Sequence, residues 1–253
     1  MNLNNIVDIH SHILPGLDDG AKNISESVSM AKMASQIGVS IIIATTHRVG
    51  SYNTPLNILK QKVKQMNDKL KKGGISVKLV VGAENFSDFE IDTKFTMNSK
   101  NYILMEFPMN SYPEFCEEIV DELLKKKLIP IIAHPENNRE IRKNPKYMEK
   151  LVNKGCLMQL NASSITSWDI SKKKFVMSLI EKNAYHLMGS NAHSKKGYIQ
   201  FEKAIKLLCN KFGEKKTDSM VRVIPMKILK GEKYTPKKIR LANEKGFFKR
   251  IFS

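Results

Sequence analysis

A chain of 253 residues with 42% hydrophobic side chains can bury a sizeable core, which excludes pervasive disorder, and no apolar run approaches the roughly 20 residues that span a bilayer. The net charge of +17 is spread through nearly every predicted helix without a nucleic-acid-binding motif, so it reads as a Lys-rich surface with no nucleic-acid partner. Cys116, Cys156 and Cys209 form no CxxC pair and the N-terminus has no signal-peptide pattern, so a cytoplasmic location is expected.

Short apolar runs rich in Val and Ile predict strands at 6–9, 39–44, 76–81, 102–106, 129–133, 156–160 and 184–188. Helical periodicity lies between most of them, at 25–37, 56–72, 113–126, 145–153 and 169–182, and again at 199–212. Such alternation gives right-handed βαβ units and a parallel sheet, and seven units favour an α/β barrel over an open sheet. In a barrel the chemistry gathers at the C-terminal ends of the strands. One domain over 1–225 and a basic tail over 226–253 are expected. The tail carries nine Lys/Arg against Glu232 and Glu244 and ends in GFFKRIFS.

The chain has six histidines, and five of them fall at or just past a predicted strand end. They are His10 and His12 in DIHSH, His47 in ATTH, His134 in IIAHPE and His193 in GSNAHS. Any one alone would be an ordinary loop residue; five on four strands share a rim. Glu84 in VVGAE, Glu106 in ILMEF, and Asp18 and Asp19 in PGLDDG follow the same rule. Period-two alternation puts both imidazoles of H-x-H on one side. Imidazoles with carboxylates are the donor set of manganese, iron or zinc. Their number implies two or three ions with a bridging carboxylate, the apparatus of phosphoester hydrolysis. The rival thiolate chemistry needs an arginine six places after a cysteine, but Glu122, Ala162 and Lys215 stand there. Trp168, Met30 and Met33 read as core, and His186 as a core or edge residue outside the rim.

VDIHSHILPGLDDGA, ATTHR, VVGAE, MEFP, AHPENNREIRKNP and GSNAHS resemble, in order over residues 6–230, the motifs of the PHP (polymerase and histidinol phosphatase) superfamily. Within it they are most similar to the manganese-dependent protein-tyrosine phosphatases of bacterial capsule and exopolysaccharide operons. The resemblance implies a distorted seven-stranded barrel with Mn2+, and iron, zinc or cobalt as alternatives. It implies that His10, His12 and Glu84, with the position of Asn191, hold a first ion. Glu84, Glu106 and His134 would hold a second, and Asp19, His47 and His193 a third. The implied substrate is phosphotyrosine on the tail of a partner tyrosine kinase.

Three positions depart from the pattern. Asn191 replaces an aspartate, Asn137 an arginine expected to face the phosphoryl group, and Tyr198 a further arginine. An amide oxygen carries no charge, so weaker occupancy of the first ion position is expected. Arg48 or Arg139 are the candidates to replace the cation lost at Asn137, against a bland role as surface charges. A slowed phosphatase and a phosphotyrosine-binding regulator both remain open, as does a small-molecule phosphoesterase. The Phe/Lys/Arg pattern of 245–252 is either a solvated end or a contact with an anionic membrane. A homo-oligomer is a further open expectation.

Overall fold

The computed structural model describes residues 4–87 and 91–241. Seven parallel strands follow one another around the sheet in chain order: β1 (Ile6–Ser11), β2 (Val39–Arg48), β3 (Lys78–Phe86), β4 (Tyr102–Glu106), β5 (Ile129–Ala133), β6 (Leu157–Asn161) and β7 (Leu187–Gly189). The chain after β7 returns to β1. Asn191 N–H donates to His10 O at 2.8 Å, and His12 N–H to Ala192 O at 3.0 Å. These two bonds bring the sheet close to a closed barrel, as the strand–helix alternation predicts, and the seam they form carries three of the five rim histidines.

The helices are α1 (Ile24–Gln36), α2 (Leu56–Lys72), α3 (Cys116–Lys125), α4 (Arg139–Lys143), α5 (Lys146–Lys154), α6 (Ala162–Thr166), α7 (Ile170–Glu181), α8 (Lys195–Phe212), α9 (Glu214–Asp218) and α10 (Ile224–Lys230). Their starts are chemically marked. Asn23, Asn138 and Asp169 each accept from a backbone N–H of the first turn.

Two apolar clusters divide the core. One packs helices on the outside of the sheet. The other fills the barrel with Val7, Ile9, Ile43, Val80, Leu104, Ile131, Leu157 and Leu187, and Ile224 and Ile228 of α10 join it. Alternation along each strand carries this inner row upward into polar residues. Ile43 leads through Thr45 to His47, Val80 through Gly82 to Glu84, Leu104 to Glu106, and Leu157 to Gln159. The apolar runs in the sequence therefore mark only the lower half of β2 and β3. Their upper halves are polar, so both strands end later than hydrophobicity predicts.

Two local expectations change, and that for His186 is met. Trp168, expected in the core, is 98% exposed. It stands in the α6–α7 connection, between Ser167, whose hydroxyl accepts from Asp169 N–H, and the cap Asp169. A three-residue junction fixed by polar caps gives an indole no core to enter. The chain beyond residue 225 is packed as far as Leu241. Tyr102 donates its hydroxyl to Glu232 O at 2.8 Å, Asn153 brackets Ile239 with two hydrogen bonds, and Leu241 is buried. The segment 245–252, read as a solvated end or a membrane contact, lies outside the described residues. His186 precedes β7 and is buried, with Nδ1 accepting from Met158 N–H at 3.0 Å. Burial and the charge of Lys216 push it down to about 4, so it is a neutral core histidine.

Candidate metal centre

Glu84 stands at the middle of the barrel mouth. Its Oε2 lies 3.2 Å from His10 Nε2, 3.4 Å from His12 Nε2 and 3.1 Å from His47 Nδ1, and its Oε1 lies 2.9 Å from His134 Nε2. Glu106 adjoins, 3.7 Å from His47 and 3.8 Å from His134. Asp19 bridges the outer side, with Oδ1 3.5 Å from His47 Nε2 and 3.2 Å from His193 Nε2. Asn191 Oδ1 sits 3.1 Å from His12 Nε2. The nine residues read as ion-holding positions therefore meet in one place.

Backbone irregularities aim several of these side chains. β1 loses its regular register between Asp8 and Ser11, and such a break re-aims a side chain. His10 thereby joins the mouth, while Ser11 turns to the Tyr198 hydroxyl at 3.0 Å. His134, at φ 30°, and Asn191, at φ 47°, adopt left-handed backbone just after β5 and β7. For His134 this is strained twice over, because the residue before a proline avoids helical φ/ψ. Gly20 lets the PGLDDG loop fold over His12; a Cβ there would stand 2.0 Å from His12 O.

Hydrogen bonds fix which ring nitrogens carry lone pairs. His10 Nδ1 donates to Gln159 Oε1 at 3.0 Å, His12 Nδ1 to Asp18 Oδ2 at 2.8 Å, and His193 Nδ1 to Asn191 O at 3.1 Å. Each Nε2 is thus a bare acceptor in the neutral ring. The Nε2 atoms of His10 and His12 face each other at 3.2 Å, beside the Glu84 carboxylate. Glu84 Oε2 and His47 Nδ1 are buried without a hydrogen bond of their own. Lone pairs converging in a dry site repel unless protons or cations lie between them, so the donor set fits divalent ions. Among the described residues, three groups have ligand atoms close enough to hold an ion: His12, Asp19, His47 and His193; His10, His12 and Glu84; His47, Glu84 and Glu106.

Burial opposes charge on His12, but the Asp18 and Glu84 carboxylates overcome it and push His12 up to about 10. Burial likewise opposes ionisation of Glu84, yet His10, His12 and His134 hold its carboxyl well below the usual range. Burial and the charge of Glu84 push Glu106 up to about 7. Burial, together with charge on His12, lowers His47 and His193.

Other positions resolve differently. Asp18 does not face the cluster; it orients His12 and accepts His47 N–H at 3.1 Å. Arg48 is drawn aside, its guanidinium carbon 3.3 Å above the Phe95 ring and its Nη1 donating to Thr54 O. Arg139 opens α4 on the exposed surface. Tyr198 is fully buried on α8 and donates its hydroxyl to Ser11 Oγ at 3.0 Å. Asn137 accepts the Lys172 ammonium at 2.6 Å. Sequence reasoning passed over Gln159, which orients His10 and also accepts His134 N–H at 3.3 Å. Its one sequence signal is a polar residue on the inward face of an otherwise apolar strand.

Comparison with known proteins agrees with this geometry. Tyrosine-protein phosphatase YwqE of Bacillus subtilis (strain 168) is 36% identical over 217 residues, covering 82% of this chain and 85% of YwqE. Tyrosine-protein phosphatase CpsB of Streptococcus pneumoniae is 27% identical over 245 residues, covering 88% and 98%. One chain from the crystal structures of YwqE from Bacillus subtilis and CpsB from Streptococcus pneumoniae, described as unique metal-dependent tyrosine phosphatases, superposes with TM-score 0.88 at 31% identity. The match covers 94% of this chain and 100% of that one. The family model for capsular polysaccharide synthesis, CpsB/CapC, matches residues 6–230, and the chain belongs to that family.

Proposed function

We propose that the chain is a metal-dependent phosphatase of protein phosphotyrosine, acting on the phosphorylated tail of a bacterial tyrosine kinase in capsule synthesis. The observation that carries this is the convergence of Glu84 with five imidazoles and two further carboxylates at one barrel mouth. His10, His12 and Glu84, with Asn191, would hold one ion, Glu84, Glu106 and His134 a second, and Asp19, His47 and His193 a third. Mn2+ is the proposed ion. Bound ions would supply Lewis-acid charge to the phosphoryl oxygens and lower the pKa of a water. The chain's own part is positional: Asp18 and Gln159 fix the tautomers of His12 and His10, and the apolar barrel floor keeps bulk water below the site out.

The test compares metal-stripped and manganese-loaded protein on a phosphotyrosine peptide and on histidinol phosphate. Metal-dependent phosphate release from the peptide, faster than from histidinol phosphate, is the expected result. Neutral Asn191 and Asn137 favour the regulator as second reading, and tight peptide binding without phosphate release would establish it.

Loading should also expel protons. His12, at about 10, and Glu106, at about 7, hold protons near neutral pH that an ion must displace. Ion affinity therefore rises with pH through about 7. Calorimetry of manganese binding at pH 7 in buffers of unequal ionisation enthalpy should give unequal heats, corresponding to about one or more protons released. Equal heats would contradict the protonation pattern.

A further inference from the structure

Lys172 reaches from the first turn of α7 to the turn after β5, where its ammonium donates to Asn137 Oδ1 at 2.6 Å. Both ends of this contact are anchored. Asp169 accepts from Lys172 N–H at 2.9 Å, and Asn137 N–H donates to His134 O at 2.9 Å. The short turn carrying Asn137 is held by buried Glu136, which accepts from Asn161 N–H at 2.9 Å and from the Tyr185 hydroxyl at 3.0 Å. The ammonium is thus docked one turn of chain from His134, itself 2.9 Å from Glu84.

The acceptor is a neutral amide. Lys143, Lys150, Lys154 and Lys206 each meet a carboxylate, which offsets their charge. Lys172 forms no such pair among the described residues. An ammonium has three donors, so two N–H groups and the full positive charge remain after Asn137 is served. Arg48, the other cation considered for this role, is spent on Phe95 and Thr54.

We propose that Lys172, held in place by Asn137, binds the substrate's phosphate group at the lip of the metal centre. The inference rests on the phosphotyrosine reading above and adds a residue to it. An arginine at position 137 would carry a cation on its own side chain; asparagine holds one borrowed from the neighbouring helix. An amide acceptor suits this use, because a carboxylate would neutralise the ammonium and repel the phosphate dianion.

The experiment measures kcat and KM for a phosphotyrosine peptide, calorimetric affinity for inorganic phosphate in the manganese-loaded protein, and manganese affinity. Lys172→Met should raise KM and weaken phosphate binding by about ten- to a hundredfold, as expected for one lost charge-assisted contact. Manganese affinity should stay unchanged, and Lys172→Arg should retain most of the phosphate affinity. In an Asn137→Arg background the cost of Lys172→Met should largely vanish. Unchanged KM and phosphate affinity in Lys172→Met would overturn the inference, as would an equal cost in the Asn137→Arg background or a matching loss of manganese binding. Phosphate binding that depends on Lys172, without peptide turnover, would uphold the inference and defeat the phosphatase reading. Turnover that ignores Lys172 would do the reverse.

Discussion

Glu84→Gln should lower phosphotyrosine turnover by about a thousandfold or more, the rate equivalent of several kcal/mol of lost charge stabilisation. Glu84 touches four of the histidines, through 2.9–3.4 Å contacts from its two oxygens. Glutamine keeps the shape but removes the charge and turns one end into a donor. Adjacent cations would then lose their shared anion, and their mutual repulsion would go uncompensated. The barrel itself should persist, because the apolar cluster below Glu84 is untouched. Manganese stoichiometry and steady-state kinetics check this, with circular dichroism as the control for folding. A variant within about tenfold of the parent rate would show that Glu84 does not bridge ions.

Asn191→Asp is the opposite experiment, a gain. The Asn191 amide oxygen already lies 3.1 Å from His12 Nε2, and its N–H is fixed on His10 O. The left-handed backbone there, φ 47°, suits aspartate nearly as well as asparagine. Only charge changes. A carboxylate among His10, His12 and Glu84 should tighten manganese by about ten- to a hundredfold, because charged oxygen ligands set affinity in such sites. Turnover should rise with occupancy at limiting metal. Calorimetric titration checks the affinity, and an unchanged value would mean that residue 191 does not contact an ion. If parent and variant both bind the peptide and neither releases phosphate, the regulator reading stands.

The strand order, the parallel barrel and the rim of donors were all visible in the sequence, for physical reasons. A strand covered on both faces must be continuously apolar, as Ile41–Ile43–Ala44 and Ile129–Ile131–Ala133 are, and a polar residue at its C-terminal end stands out. Glu84 and Glu106 stood out in this way. What stayed hidden depends on contacts distant in sequence. Asp18 and Asp19 are adjacent and chemically alike, yet one orients His12 from behind and the other faces His47 and His193. Only the fold of the loop over Gly20 separates them. Gln159 is uncharged, so a search for titratable groups passes it by. Trp168 shows that residue type alone misplaces a side chain when a short capped junction leaves it no neighbours. The partner of Lys172 lies 35 residues away, with α4, α5, β6 and α6 between them, beyond any local pattern.

The most direct test is anomalous scattering from crystals grown with manganese. The account predicts at least two ions about 3.5–4 Å apart at the barrel mouth, with Glu84 between them and Asn191 Oδ1 in contact with one. A single ion away from Glu84, or none among His10, His12, His47, His134 and His193, would contradict it.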